Sequence, residues 1–234
     1  MKNNGVVEQK QGFKALEVEA ILKGLTRKKA HRDLALFTLA LDSLLRGSDL
    51  LVLRVSDIMG EGGQIRMTFA LRQQKTKRRV EPVLTETTRQ ALSGWIAFSG
   101  KKKSDFLFTH RDRPKGMPLS TSGFRRLVKK WTAMIGLNPA SYSGHSLRRT
   151  KAIFMYQRGV PIEELSQLLG HSSTAVTLHY LGITQAHLQA QALKYDIFNY
   201  RNVEDIKEGW SDEDMERFAD LVANKLALRL AQKV

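Results

Sequence analysis

At 234 residues, 42% apolar and 26% charged, the chain can bury one substantial core and has the composition of an ordinary globular protein. No run approaches 18 apolar residues and the opening MKNNGVVEQK lacks an apolar stretch, which argues against a membrane span or secretory leader. With no cysteine, disulfides and a thiolate nucleophile are excluded, and the expected location is the cytoplasm.

The formal charge of +15 is unevenly placed. Residues 201–234 carry six Lys/Arg against eight Asp/Glu, a net of −2, so residues 1–200 hold +17. A polyanionic partner is the natural reading, nucleic acid being the commonest. A merely basic solvated surface is the plainer alternative.

In chain order, residues 1–13 read as a polar, frayed terminus. Leu16, Val18, Ala20, Ile21 and Leu22 predict a short helix ended near Gly24. Arg27, Lys28, Lys29 and Arg32 open a longer helix through Leu45. Its Leu34, Leu36, Phe37, Leu39, Leu41 and Leu44 cover most of the circumference, as in a helix packed on several sides. Arg46 then interrupts the apolar run. It reads either as a C-terminal cap or as an inward guanidinium held by Asp49.

Gly60, Gly62 and Gly63 mark a turn, followed by a strand from Gln64 with Ile65, Met67 and Phe69 on one face. A polar tip, QQKTK, and a returning strand over 79–84 complete a hairpin bearing Arg72, Lys75, Lys77, Arg78 and Arg79. Those charges read as edge protection or as a lysine delivered into a groove. Residues 86–98 predict a helix burying Leu92, Trp95 and Ile96. Phe106-Leu107-Phe108 is an apolar patch in a loop charged by Lys101, Lys102 and Lys103 before it and Arg111-Asp112-Arg113 after it. Ser120 or Ser122 caps a helix through Ile135, with Phe124, Leu127, Trp131 and Met134 as its stripe. Arg125, Arg126, Lys129 and Lys130 occupy the other side, fitting either a DNA groove or solvent.

Residues 143–180 read SGHSLRRTKAIFMYQRGVPIEELSQLLGHSSTAVTLHY. His145 and Arg148, three apart, share a helix face. Pro161 suits the first turn of a helix over 162–169. His171 sits in a Gly-His-Ser-Ser junction and Tyr180 follows nine residues later. Cations and imidazoles beside one phenol point to phosphoryl chemistry. Beyond it, a helix over 184–197 aligns Leu188, Ala192 and Tyr195. A capping box (Ser211, Asp214) with a staple (Trp210, Met215) then starts a last helix carrying Phe218, Ala219, Val222 and Leu226. No P-loop, dinucleotide fingerprint, zinc cluster or EF-hand signature is present, and the histidine spacing offers no metal site, so neither metal nor cofactor is expected.

The ordered set of Arg46 in LLRGSDLLVLRVSDI, Lys75 in QKTK, His145 and Arg148 as His-x-x-Arg, His171 in LLGHSS, and Tyr180 resembles the catalytic domain of the tyrosine recombinases, or phage integrase family. The resemblance spans roughly residues 16–195. It implies a mainly α fold with a small antiparallel β-sheet and makes those six residues catalytic. Tyr180 is then the nucleophile, Lys75 the donor to the leaving oxygen, and Asp49 a supporting residue that orients the arginines. It implies double-stranded DNA with specific recombination sites as partner, a homotetramer on paired sites, and no metal or ATP. Arg72, Lys77, Arg78, Arg79, Lys101, Lys102, Lys103, Arg125, Arg126, Lys129, Lys130 and Arg149 become candidate DNA contacts.

The expected organisation is a flexible 1–13, a catalytic domain over 14–198, and a linker and helix over 199–234 exchanged between protomers or folded in cis. It resembles short family members without the N-terminal clamping domain, some of which invert promoter-bearing DNA, so an accessory DNA-bending or DNA-binding protein joins the expected partners. The alternatives are topoisomerase-like nicking and rejoining, and a DNA-binding regulator that does not cut.

Overall fold

The structure is a computed structural model that describes residues 10–110 and 116–194 together with positions 216, 217 and 220. It is mainly α-helical: α1 Ala15–Arg27, α2 His31–Asp42, α3 Gly47–Leu51, α4 Val55–Ile58, α5 Glu86–Ser99, α6 Thr121–Met134, α7 Gly144–Gln157, α8 Ile162–Leu169, α9 Thr174–Leu181 and α10 Gln185–Lys194. Between α4 and α5, β1 Leu71–Arg72 and β2 Arg79–Val80 form one antiparallel sheet, pairing Leu71 with Val80 and Arg72 with Arg79. The contacts divide at residue 184, so α10 belongs to a second unit beginning at Thr184. Tyr195, the capping box at Ser211 and Asp214, its staple, and the 199–234 linker and helix apart from positions 216, 217 and 220 lie outside the described residues.

Helix α2 is central for the reason its sequence gives. Ala35, Leu36, Phe37, Leu39 and Ala40 are all buried, and it packs against α1, α5 and α7. Trp131 of α6 meets Phe37 edge-on at 5.5 Å, and its indole N–H donates to Asp33 Oδ2 at 3.1 Å. Such an amphipathic aromatic is costly to bury without that bond. Helix α6 starts where Ser120 Oγ accepts the Gly123 N–H at 3.1 Å, satisfying one of its free amides. A smaller cluster of Leu44, Ala152, Leu165, Leu169 and Leu181 binds α7, α8 and α9 together.

Several expectations are corrected. Residues 10–13 are tied down, not frayed: the Gln11 N–H donates to Ser141 O at 3.0 Å, Phe13 stacks on Tyr142 at 4.4 Å, and the Phe13 N–H donates to Thr150 Oγ1 at 2.7 Å. Helix α1 runs through Gly24 to Arg27, because the missing Cβ makes room for Met134, whose Cε lies 2.7 Å from where a Cβ would stand. Helix α2 ends at Asp42, before Leu44 turns to φ +54, so Arg46 is no C-terminal cap. It is instead the extended residue preceding α3.

The strand from Gln64 is broken into isolated bridges, Met59 with Ile65 and Thr68 with Val83. A bend at Met67 leaves that side chain exposed while Ile65 and Phe69 stay buried. Phe106-Leu107-Phe108 does lie in a loop between α5 and α6, but one that feeds the core. Leu107 and Phe108 are fully buried, and the Leu107 N–H donates to Leu53 O at 2.8 Å.

The bend at Met67 makes a direct prediction. Phe69→Ala should cost about 3–5 kcal/mol in urea denaturation, as for a buried Phe. Met67→Ala, at 60% exposure, should stay within about 0.5 kcal/mol of the parent.

Candidate active site

Local structure brings five of the predicted residues together. Arg46 is presented by the extended backbone ahead of α3, and its guanidinium donates to Gln73 Oε1. Arg148 lies in the first turns of α7, which begins where the Ser143 N–H donates to Ser146 Oγ at 3.0 Å. Arg148 is only 2% exposed; its Nη2 donates to the Leu169 carbonyl, and its buried Nε has no partner among the described residues. Burial lowers its pKa to about 10, with Tyr180 and Asp49 opposing and Arg46 adding to the drop, so it remains a cation at neutral pH.

Asp49 is tied to the hairpin. Its Oδ1 accepts the backbone N–H of Gln74 at 2.9 Å, while its Oδ2 is buried without a hydrogen-bond partner among the described residues. It bonds the hairpin and acts on Arg148 through charge.

Helix α8 ends at Gly170, whose φ of +61 is left-handed. The next residue, His171, is buried and its Nδ1 lies 2.9 Å from Thr177 Oγ1. Burial, then Arg148 and Arg46, depress its pKa to about 4, so its ring is neutral at pH 7. Burial and the charges of Arg148, Arg46 and Lys75 push His145 below its ordinary value as well.

Tyr180, near the end of α9, sets its ring edge-on to His171 at 5.3 Å. The Arg148 guanidinium carbon lies 5.8 Å from the Tyr180 ring centre. The Tyr180 hydroxyl donates to the His145 carbonyl at 3.3 Å. Burial raises its pKa to about 12, against the pull of Arg148, Arg149 and Arg46. The phenol is therefore held protonated. Lys75 is exposed on the hairpin tip, near enough for its charge to be felt at His145.

The wider basic set divides. Arg72, Lys77, Lys102, Lys103, Arg125, Arg126, Lys129 and Lys130 are exposed. Four others are committed to the protein itself. Arg78 donates to the His171 carbonyl and Arg79 pairs with Glu81 at 2.8 Å. Lys101 donates to Thr109 Oγ1 at 3.2 Å beside the Trp95 ring, and burial lowers its pKa. Arg149 donates to the Lys10 and Leu181 carbonyls.

Two residues at the site escaped the sequence reading. Gln73 is fully buried, as is Thr177 beneath His171. The alternation Phe69, Leu71, Gln73 would have marked Gln73 as inward-facing. Among the described residues no cluster of His, Cys, Asp and Glu could hold a metal ion. A cavity of about 560 Å³ beside Phe13, Leu22, Leu41 and Ile153 shares none of these site residues.

A depressed histidine weakens the fold in acid. The unfolded chain takes up a proton near pH 6.5 while folded His171 resists until about 4, so stability should fall as pH drops through that window. On the order of 3 kcal/mol is at stake. His171→Asn should flatten the slope of urea stability against pH between those limits.

Most of the chain also matches known proteins. A profile described as the Phage integrase family aligns with residues 12–187. The chain is 30% identical over 175 residues to the probable integrase/recombinase YoeC of Bacillus subtilis, covering 75% of this chain and 91% of that protein. It is also 30% identical to a tyrosine recombinase of Pseudothermotoga lettingae and 32% identical to the tyrosine recombinase XerD of Xanthomonas campestris. These alignments cover 73% and 68% of this chain, but only 54% and 50% of those relatives, about half their length.

Among solved structures, XerA recombinase superposes with a TM-score of 0.63 at 20% identity, over 79% of this chain and 65% of that one. XerH recombinase, in a post-cleavage complex with palindromic difH substrate, gives 0.64 at 20% identity, over 82% and 55%. The fold is that of the tyrosine recombinase catalytic domain. With a family profile spanning most of its length and a relative matched over nearly all of its own, the chain belongs to the phage integrase family.

Proposed function

We propose that the chain is a site-specific DNA recombinase that cleaves and rejoins strands through a 3′-phosphotyrosyl link. The observation that carries the reading is the convergence of Arg46, Arg148, His145 and His171 on one phenol, Tyr180. A phosphodiester resists attack because its anionic oxygens repel the nucleophile. Two guanidinium groups answer that with planar, charge-assisted hydrogen bonds to the nonbridging oxygens. Their contribution is catalytic to the extent that the bonds tighten as charge builds on the phosphoryl group.

In the step itself the Tyr180 oxygen bonds to phosphorus, and its proton passes to the neutral His145 ring. The bond from phosphorus to the 5′ oxygen breaks, and that oxygen takes a proton from Lys75. With Thr177 donating to Nδ1, His171 presents its other ring nitrogen as a donor to the phosphate. The phosphotyrosyl bond conserves the energy of the broken linkage, so a different 5′-hydroxyl can reverse the step without ATP.

The free protein is unreactive by design: Tyr180 is protonated, its hydroxyl occupied by the His145 carbonyl, and Arg148 rests on the Leu169 carbonyl. Activation requires DNA to enter and these contacts to exchange. A homotetramer on paired sites supplies that coupling, with an accessory DNA-bending or DNA-binding protein assisting. The exposed basic face of α6 and Lys102–Lys103 are the phosphate contacts that position the duplex. The proposed location is on DNA in the cytoplasm; among the described residues no helix is long and apolar enough to cross a membrane.

The test uses nicked suicide duplexes, which prevent rejoining, drawn from DNA flanking the gene. Wild type should form a covalent protein–DNA adduct on a denaturing gel, and Tyr180→Phe should form none while binding the same DNA. Specific binding by wild type with no adduct would favour a regulator that does not cut. Relaxation of supercoils without exchange between two sites would favour topoisomerase-like action.

A further inference from the structure

Gln73 is a polar side chain with no exposed surface, placed where three segments of the site meet. Its Oε1 accepts from the Arg46 guanidinium and, at 2.6 Å, from the Thr76 hydroxyl. Its Nε2 donates to the Leu169 carbonyl at 3.4 Å, the same oxygen that receives Arg148. The amide is pressed against the end of α8: a Cβ on Gly170 would lie 2.7 Å from Oε1. Burying an amide is unfavourable unless it is bonded, and this one is bonded at both ends.

The same residue closes the hairpin tip. Its N–H donates to Arg78 O at 2.8 Å, and its carbonyl accepts the Lys77 N–H at 2.9 Å, with Lys77 at φ +55. The N–H of the next residue, Gln74, is held by Asp49. Lys75 sits between these anchors, exposed and with no hydrogen bond of its own among the described residues. Its position is therefore set by what fixes its neighbours.

We propose that Gln73 is a positioning residue, one that registers the Lys75 loop against Arg46 and the Leu169 carbonyl. On the recombinase reading above, Lys75 then reaches the leaving oxygen of the phosphodiester whose nonbridging oxygens Arg46 and Arg148 bind. Arg46 has five N–H donors, so it keeps one on Gln73 while offering others to a phosphate. Gln73 touches no reacting atom. It acts by making the general acid and the phosphate clamp one geometric unit.

The test is Gln73→Met, which keeps the bulk beneath Gly170 and removes both bonding ends of the amide. Adduct formation is timed on suicide duplexes with an ordinary linkage and with sulfur replacing the bridging 5′ oxygen. A thiol has a pKa near 8.5 and leaves without a proton donor, so the sulfur linkage bypasses Lys75. Gln73→Met should lose about tenfold to a hundredfold on the oxygen linkage, the scale of a small misplacement. On sulfur it should return to within about threefold of wild type, as Lys75→Ala should and Arg46→Ala should not. A wild-type rate on oxygen overturns the proposal, and so does an equal loss on both linkages.

If wild type itself forms no adduct, the recombinase reading fails. Amide exchange of residues 74–78 in the free protein then decides the positioning claim: faster exchange in Gln73→Met upholds it, and unchanged protection overturns it.

Discussion

A cation removed from water is the constraint on which the site is built. Arg148 is almost fully buried, and a buried guanidinium is stable only with acceptors around it. One acceptor is the Leu169 carbonyl at the end of α8. Asp49 adds a negative charge that reaches Arg148 without a hydrogen bond between them. This arrangement leaves Arg148 Nε and Asp49 Oδ2 both buried and unmatched among the described residues, so the resting site is under-satisfied. On the proposed function, an anionic phosphate would offer Arg148 Nε the acceptor it lacks, though it brings no donor for Asp49 Oδ2.

Much else follows from this requirement. The left-handed Gly170 ends α8 so that Leu169 O and His171 both turn toward Arg148. The small cluster of Leu44, Ala152, Leu165, Leu169 and Leu181 keeps α7, α8 and α9 in register, which places Tyr180 over the same guanidinium. Burial, helped by the cations that would activate the phenol, keeps His145 and His171 neutral, and burial keeps the phenol protonated. His145, His171 and Tyr180 thus acquire their protonation states from one local environment.

The sequence was most legible where residue type and period coincide. The apolar circumference of α2, the Ser120 cap and the α8 boundaries follow directly from pattern, as does the ordered site set from resemblance. It was least legible where tertiary contact overrides local rules. Gly24 looks like a helix stop but is a close-packing position for Met134. Met67 fits a strand alternation that a bend interrupts. Arg78, Lys101 and Arg149 read as surface charge, yet each is bonded back to the protein. Gln73 looked like part of a polar tip because its partners lie 27 and 96 residues away in the chain.

The central claim is that buried positive charge exists here to neutralise a phosphodiester. It is tested most directly by removing the charge on the other side. Cleavage by wild type and Arg148→Ala would be compared on a duplex whose scissile linkage is an ordinary phosphodiester and on one whose linkage is a neutral methylphosphonate. The account predicts a loss on the order of 10²–10³ for Arg148→Ala on the phosphodiester, shrinking to less than about tenfold on the neutral linkage. An equal loss on both would mean that Arg148 serves the fold rather than the phosphate, and would contradict the account.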